Sequence, residues 1–284
     1  MGLSLDIDLL RSFVMVAQTR ALSRAAAHIG RTQSALSMQM QRLEQVLDQP
    51  LLQRTGRGVL LTPQGERLLV HAQRILRCHD EALADLTGKG LSGTIRFGCP
   101  DDYAAVFLPH LLRGFAREHP QVLVEVICAP TPRLLEQIEG HAVDLALISL
   151  ADADATDVIR REPLVWVGCS GTDAAAFEPL PLALSHLDTL DHVAARQSLD
   201  SVGRAYRVAY ASSSLAGLTA LVRSGQAIAV LTQTAVPADL QIVPASAGLP
   251  PLPAVGISLR FDREQPSSLV AAFALHIRQQ LPAL

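Results

Sequence analysis

The chain has 284 residues, 49% of them hydrophobic, and a formal net charge of −3, which suffices for a small and a larger domain with separate cores. Residues 1–62 carry seven Arg against four acidic residues, an excess of three positive charges that leaves −6 for the rest. This imbalance favours a DNA-contacting head on a body that avoids DNA. No apolar run has the length of a membrane span, and no signal-peptide pattern opens the chain, so we expect a cytoplasmic protein without membrane contact.

Two short helices around a tight turn are predicted over residues 22–43. Ala25–Ala27 allow a close helix crossing, Gly30 suits the left-handed end of the first helix, and Thr32 suits the N-cap of the second. This pattern predicts a helix-turn-helix, the unit that places a helix in the DNA major groove. An amphipathic helix is predicted before it from apolar residues at helical spacing: Leu9, Leu10, Phe13, Val14 and Ala17.

The second helix of this unit has two distinct faces. Apolar residues form an inward stripe of Leu36, Met40, Leu43 and Leu47. The opposite face carries Ser34, Met38, Gln41 and Gln45. Short polar side chains there suit contacts with base edges and phosphates. An ordinary amphipathic helix with a solvated face would show the same periodicity, and this alternative stays open.

A wing and a long helix follow. Residues 51–61 predict a β-hairpin with a Gly-bearing turn, and its Arg54 and Arg57 are placed for phosphate or minor-groove contacts. Thr62 as N-cap and Pro63 at the first helical position open a helix that ends near Gly88. Its seam suits a dimer helix: Leu68, Leu69, Ala72, Ile75, Leu76, His79, Leu83 and Leu86.

The remaining chain alternates strands and helices, which predicts an α/β domain with parallel strands. Predicted strands cover 94–99, 122–128, 143–148, 164–169, 181–184, 206–210, 227–231 and 256–261. Predicted helices cover 106–119, 133–139, 213–224 and 267–281. Two such lobes joined by crossing strands enclose a cleft.

Ligands of such sheets bind beyond the carboxyl ends of the strands, and this rule supplies the candidate effector-binding residues. They are Pro100, Asp101, Asp102, Tyr103, Pro130, Thr131, Ser149, Ser212 and Ser213. Two alternatives remain open: the serines, with Ser214, merely cap a helix, or one of the two Asp does so.

Enzyme chemistry finds little support. The sequence lacks a phosphate-binding Gly-rich loop, a nucleophile elbow and a metal-ligand His pair, and the best acid/base cluster, Asp101 and Asp102 with His110, is poor. The cysteines, Cys78, Cys99, Cys128 and Cys169, form no CxxC pair. We therefore expect no catalytic residues, no metal and no cofactor, although proximity of Cys99 and Cys128 would allow a thiol sensor.

Several motifs together resemble the LysR-type transcriptional regulators. In the N-terminal part they are residues 8–14, 22–26, 31–37, 42–44 and 60–65. In the C-terminal part they are Leu108-Pro109, Phe115, His119-Pro120, Asp144-Leu145-Ala146 and the Leu249–Pro253 run. The resemblance covers nearly the whole chain. It implies a winged helix-turn-helix domain followed by a two-lobed α/β effector domain like the periplasmic binding proteins.

The resemblance also implies DNA contacts by Arg24, Thr32, Gln33, Ser34, Ser37, Met38, Gln41, Arg54 and Arg57. Ser34 replaces the commoner Pro and Met38 a commoner Arg, so one backbone anchor is missing or lies elsewhere. Many relatives place Ser or Thr after the first strand of the effector domain to hold a carboxylate. Here Pro100-Asp101-Asp102 stands instead, and two acids would repel a simple carboxylate. A ligand with an amine or hydroxyl, or one that is not an acid, is the resulting hypothesis.

The implied organisation is a DNA-binding domain at 5–62 with its helix-turn-helix near 22–41, a linker and dimerisation helix at 63–88, and an effector domain at 92–284. Lobe I covers about 92–162 and 263–284, and lobe II about 163–262. The implied partners are imperfectly palindromic double-stranded promoter DNA, a small-molecule effector, a second copy through the linker helix, a tetramer and RNA polymerase. A regulator without an effector, and a two-lobed solute-binding protein, are the remaining alternatives.

Overall fold

The computed structural model describes residues 4–56, 58–87, 91–264 and 266–284. The chain forms two compact units, residues 1–93 and 94–284. The first unit comprises three helices, a hairpin and a long helix: α1 (Ile7–Thr19), α2 (Leu22–His28), α3 (Gln33–Leu47), β1 (Leu52–Thr55), β2 (Gly58–Leu61) and α4 (Pro63–Thr87).

The predicted helix-turn-helix is confirmed in its details. Gly30 adopts a φ of +65°, and the Thr32 hydroxyl accepts a hydrogen bond from the Ala35 N–H at 3.2 Å. On α3 the stripe of Leu36, Met40 and Leu43 is buried. Burial of α1 differs in detail from the prediction. The apolar stripe rotates so that Val16 is buried beside Leu9, Leu10 and Phe13, while Val14 and Ala17 are only partly covered.

The wing is held in place by backbone contacts within this unit. Gly58 has a φ of +139°, and a Cβ added to it would lie 2.4 Å from the Arg20 carbonyl oxygen. That same oxygen accepts a hydrogen bond from the Val59 N–H at 2.9 Å. The Glu44 carboxylate of α3 accepts the N–H groups of Leu51 and the next residue at 2.8 and 3.1 Å. The hairpin is therefore tied to both α1 and α3.

The second unit alternates strands and helices. Its strands are β3 (Gly93–Cys99), β4 (Val122–Cys128), β5 (Leu145–Leu150), β6 (Val158–Cys169), β7 (Leu180–Leu184), β8 (Tyr206–Ala211), β9 (Ile228–Thr232), β10 (Leu240–Ile242) and β11 (Ala254–Phe261). Its helices are α5 (Asp101–Glu118), α6 (Thr131–Glu139), α7 (Leu190–Ser201), α8 (Leu215–Arg223) and α9 (Ser268–Gln280).

The strands form one sheet in the order β4-β3-β5-β11-β6-β9-β7-β8, with β10 beside β6. Strand β3 runs parallel to β5, and β7 runs parallel to both β8 and β9. The antiparallel pair β11 and β6 carries the sheet from one lobe to the other. In lobe I, α9 packs on the sheet and on α5 through Phe273, whose ring lies 5.2 Å from Phe97 and 4.7 Å from Phe115.

Several predicted boundaries are wrong. Helix α5 begins at Asp101 instead of Val106, because its buried stripe of Tyr103, Phe107, Leu111 and Phe115 repeats every four residues and the two acids favour a first turn. Helix α6 begins two residues early, and β5 lies two residues late. Strand β6 begins at Val158 instead of Leu164, since it crosses between the lobes. The other predicted strands and helices of this unit shift by two residues or less at either end.

Two elements escaped prediction, and one proposed cap is wrong. The sequence pattern predicts neither α7, which is weakly amphipathic, nor the three-residue β10. Helix α8 starts at Leu215 instead of Ser213, since Ser214 is its N-cap and accepts the Gly217 N–H at 3.2 Å. Neither Asp caps α5, because Pro100 occupies the N-cap position and both acids lie inside the first turn.

Candidate functional site

The outward face of α3 is a continuous polar surface. Gln33, Ser34 and Gln41 are exposed, Ser37 is half-buried, and Met38 is 69% exposed. The Thr32 hydroxyl lies 3.0 Å from that of Ser34 while it caps the helix, so it is shared between the two. Ser12 of α1 donates to the Gln39 amide oxygen at 3.0 Å, which fixes α3 against α1 from behind. A rigid helix thus presents hydroxyl and amide groups outward.

The structure describes the three arginines that are predicted to contact DNA to different extents. Arg24 is exposed on α2, and its guanidinium donates to the Thr19 carbonyl at 2.8 Å, which leaves further N–H groups for another acceptor. The backbone of Arg54 lies in β1, next to the hairpin turn. Arg57 lies outside the described residues.

The second unit contains a cavity of about 400 Å³ between its two lobes. It lies at the carboxyl ends of β3, β4 and β5 on one side and of β7, β8 and β9 on the other. Of the candidate effector-binding residues, its lining contains Pro100, Asp101, Asp102, Tyr103, Pro130, Thr131, Ser149 and Ser213. Ser212 stays outside the described lining, because its hydroxyl bonds to the Ser214 main chain and packs against Gly217.

Lobe I contributes a wall of linked polar groups. The Tyr103 and Ser149 hydroxyls lie 2.7 Å apart, and the Ser149 N–H donates to the Thr131 hydroxyl at 3.0 Å. Burial raises the pKa of Tyr103 well above its usual value, and the negative charge of Asp102 adds to this effect. Tyr103 therefore stays neutral and serves as a hydrogen-bonding group.

Lobe II contributes groups that the sequence analysis did not single out. The Ser185 hydroxyl hydrogen-bonds to both Thr189 and Asp191 at the start of α7. Thr232, at the end of β9, donates its hydroxyl to Asp102 across the cavity at 3.1 Å. The rule about strand ends also applies to Ser185, because it is the first residue after the buried strand β7. Pro100 stands in the same position after β3, and Thr131 follows shortly after β4. Asp191 could not be placed without α7.

Asp102 occupies the most unusual electrostatic environment in the cavity. The pKa of its carboxyl is raised to about 6, mainly by burial, and the charge of Asp191 acts in the same direction. Hydrogen bonds from the Thr232 hydroxyl and the Tyr103 N–H act in the opposite direction. The carboxylate therefore carries a charge near neutral pH that burial and Asp191 both disfavour.

The two cysteines near the cavity are kept as thiols. Cys99 is buried and Cys128 lines the cavity, and both are free. Burial raises the pKa of Cys99, as do the charges of Asp102, Cys128 and Asp101. The pKa of Cys128 is raised by burial and by the neighbouring Asp101. Reactive cysteines need the opposite direction, because the thiolate is the nucleophile.

No helix within the described ranges is long and apolar enough to cross a membrane. The described residues also include no group of three or more His, Cys, Asp or Glu side chains arranged to hold a metal ion.

Comparison with known families gives two matches. A family model described as "LysR substrate binding domain" matches residues 88–282, and one described as "Bacterial regulatory helix-turn-helix protein, lysR family" matches residues 7–66. The chain is 71% identical over 285 residues to the HTH-type transcriptional regulator DgdR of Burkholderia cepacia, covering 100% of this chain and 97% of that protein. It is 32% identical to the regulator PecT of Dickeya dadantii, over 88% of this chain and 80% of PecT.

Solved structures show the same fold. Full-length CbnR in complex with its target DNA aligns with a TM-score of 0.64 at 22% identity, over 97% of this chain and 99% of that one. ArgP from Mycobacterium tuberculosis aligns with a TM-score of 0.68 at 16% identity, over 99% of each chain.

Proposed function

The chain belongs to the LysR family of DNA-binding transcriptional regulators, and from this membership we propose which of its residues bind DNA and effector. The protein is not an enzyme, and the helix-turn-helix match at 7–66 removes the solute-binding alternative. The proposed DNA contacts are Arg24, Thr32, Gln33, Ser34, Ser37, Met38, Gln41, Arg54 and Arg57. The proposed effector contacts are the cavity residues Pro100, Asp101, Asp102, Tyr103, Pro130, Thr131, Ser149 and Ser213.

The observation that carries the DNA proposal is the outward polar face of α3. Gln33, Ser34 and Ser37 lie in the first two turns, which is the part of a recognition helix that contacts base edges. A glutamine amide can bond an adenine edge in bidentate fashion, and a serine hydroxyl can contact any base. Met38 has no hydrogen-bonding group of that kind, so its proposed role is an apolar contact with a thymine methyl.

We propose a homodimer through α4 and a tetramer of two such dimers. Helix α4 exposes large apolar side chains along its length, including Val70 at 45% and Leu86 at 84%. Exposure of this kind is unfavourable in a lone helix, and a second copy would cover it. The proposed domains are 5–62, 63–88 and 92–284. A dimer has two identical reading heads, so its DNA sites should be imperfect palindromes.

The proposed location is the cytoplasm, where promoter DNA and RNA polymerase are available. Within the family, CbnR has been solved bound to its target DNA as a full-length protein. By analogy, we propose that the effector domain alters promoter binding or RNA polymerase contact when a small molecule occupies its cavity.

A footprint of the full-length protein tests the DNA proposal. Purified protein would be bound to its own upstream intergenic DNA at near-physiological salt, with an unrelated fragment of equal length as the control. We expect protection of two or more half-sites separated by one helical turn or a multiple of it. Equal binding to both fragments would refute sequence-specific reading by α3.

A further inference from the structure

The cavity is lined by four carboxylates from both lobes. Asp101 and Asp102 come from the first turn of α5, and Asp188 and Asp191 stand at the start of α7. Among the described lining residues none is Lys, Arg or His. The electrostatic potential in the cavity is therefore strongly negative, so a ligand that carried only negative charge would be repelled as it entered.

Most of these carboxylates have neutral partners. Asp102 accepts from the Thr232 hydroxyl, Asp191 from the Ser185 hydroxyl, and Asp101 contacts the Cys128 thiol. Such donors satisfy hydrogen-bonding capacity but bring no positive charge, and the N-termini of α5 and α7 supply only a partial one. Asp188 differs, because it is exposed and lies 2.6 Å from His186, which compensates its charge when protonated. Uncompensated charge is thus concentrated at the deeper groups.

Asp102 and Asp191 line the same cavity from opposite lobes. They belong to α5 and α7, and the charge of Asp191 raises the pKa of Asp102. Thr232 already bridges toward Asp102 from lobe II. A cation between the two carboxylates would convert their repulsion into attraction and would draw the lobes together.

The rest of the lining is largely apolar. Leu164, Leu218, Val230 and Val255 are each at least 94% buried in the structure and line the cavity from the sheet and from α8. A hydrocarbon group would fill this part favourably. The volume of about 400 Å³ is in the lower part of the range for small-molecule sites.

We propose that the effector is a small aliphatic compound with a protonated amine, whose ammonium group binds between Asp102 and Asp191 and whose hydrocarbon part packs on the apolar lining. This inference rests on the proposed function, since it takes the cavity of the substrate-binding domain as the effector site. It deepens that function by naming the class of the effector.

Matched triads of probes test the proposal by calorimetry on the full-length protein at pH 7.5. Each triad shares one hydrocarbon skeleton: an amino acid, its amine without the carboxylate, and its acid without the amine. The leucine triad is leucine, isopentylamine and 4-methylpentanoate, and the alanine and valine triads follow the same scheme. We expect saturable binding of amine-bearing members of at least one triad and none of its acid.

Two single substitutions test whether the amine-bearing probe binds in this cavity. Asp191→Asn should weaken binding of the amine-bearing probe about tenfold or more, since it removes a charged hydrogen-bonding partner. Asp173→Asn makes the same change of charge on the exposed surface of lobe II and should alter affinity less than twofold. Equal effects of the two substitutions would overturn the assignment to this cavity.

Other outcomes would also overturn the proposal. These are preferential binding of the acid members, binding of Mg²⁺ or Ca²⁺ that displaces the amine, and a complete lack of binding across all triads. The footprint on intergenic DNA keeps this failure separate from failure of the proposed function. A protein that protects its half-sites yet binds no amine remains a regulator and refutes only the effector class.

Discussion

The outward face of α3 and the cavity of the second unit differ in their solvent exposure and in their charge. The outward face of α3 carries exposed glutamine and serine side chains beside the exposed Met38, so its hydroxyl and amide groups remain solvated until they make the proposed contacts with DNA. The cavity is concave and lined by four carboxylates, and burial disfavours the charged form of one of them, Asp102, whose pKa is raised to about 6. In our proposal, specificity for DNA in the first region comes from hydrogen-bond geometry. Specificity for the effector in the second region comes from a cationic ligand that relieves an unfavourable charge.

The largest effect should follow from a substitution in the hydrophobic core on which the outward face of α3 rests. Leu36 is fully buried, so Leu36→Ala should cost about 2–5 kcal/mol of unfolding free energy. Chemical denaturation should show an earlier transition for the N-terminal unit and an unchanged one for residues 94–284, which have their own core. Met38→Ala, on the exposed side of the same helix, is the control and should not shift either transition. A joint shift of both units would contradict their independence.

Protonation of Asp102 should produce the next largest effect. Its pKa of about 6 lies above the ordinary 3.8, so the folded protein retains a proton that the unfolded chain releases between these values. The resulting stabilisation is fully present below pH 3.8 and is lost as the pH rises through 6, an effect of up to about 3 kcal/mol.

Asp102→Asn should remove this dependence, which is measured as the thermal midpoint against pH without ligand. Above pH 6 the variant should be more stable than the wild type, and below pH 4 the difference should vanish. The groups that interact with Asp102 are Tyr103, Cys99, Asp191 and Thr232, and all remain in the variant. Asp173→Asn is the control, and a parallel pH profile of all three proteins would argue against a raised pKa.

Substitutions on the reading face should change specificity while the fold stays intact. Gln33→Ala or Ser37→Ala should cost about 1–3 kcal/mol at the cognate site and less on random DNA. Fluorescence anisotropy with both DNAs gives the ratio of the affinity for the cognate site to the affinity for random DNA. Gln45 lies about two to three turns further along the same helix, so Gln45→Ala should have a smaller effect. An unchanged ratio for Gln33→Ala would show that the helix docks in another register.

The smallest effect should come from the wing. Arg57→Ala should weaken cognate and random DNA alike and lower the slope of log K against log salt by about one, because one phosphate contact is lost. Arg54→Ala provides the comparison on the neighbouring strand. A selective loss on cognate DNA alone would instead place the arginine against base edges.

The same contrast explains what could be predicted from the sequence. The reading face lies within residues 33–41 of one helix, where a single periodicity decides which side chains point outward. Gly30 and Thr32 fix the start of that helix through local backbone chemistry. The start of the helix and its exposed side could be predicted because every residue that determines them is a near neighbour in the chain, while the DNA contacts themselves stay a prediction.

The cavity depends on residues from 100 to 255, so each misplaced boundary costs part of the site. The rule about strand ends found Asp102, Thr131 and Ser149, since their strands are strongly apolar. It missed Asp191 because α7 has a weak apolar pattern, stabilised by contacts that only the folded lobe supplies. The bond from Thr232 to Asp102 joins residues 130 positions apart, which no local pattern encodes.

The close approach of Gly58 to the Arg20 carbonyl determines which mutants a genetic selection should recover. A genetic selection for cells that have lost regulation should recover substitutions at Gly58, although glycine has no side chain that could contact a base. Any side chain there would collide with the end of α1 and would displace the wing as a whole. Such alleles would be expressed, folded in their effector domain and able to bind the small molecule. If they enter mixed oligomers with normal subunits, they would be dominant over the normal gene.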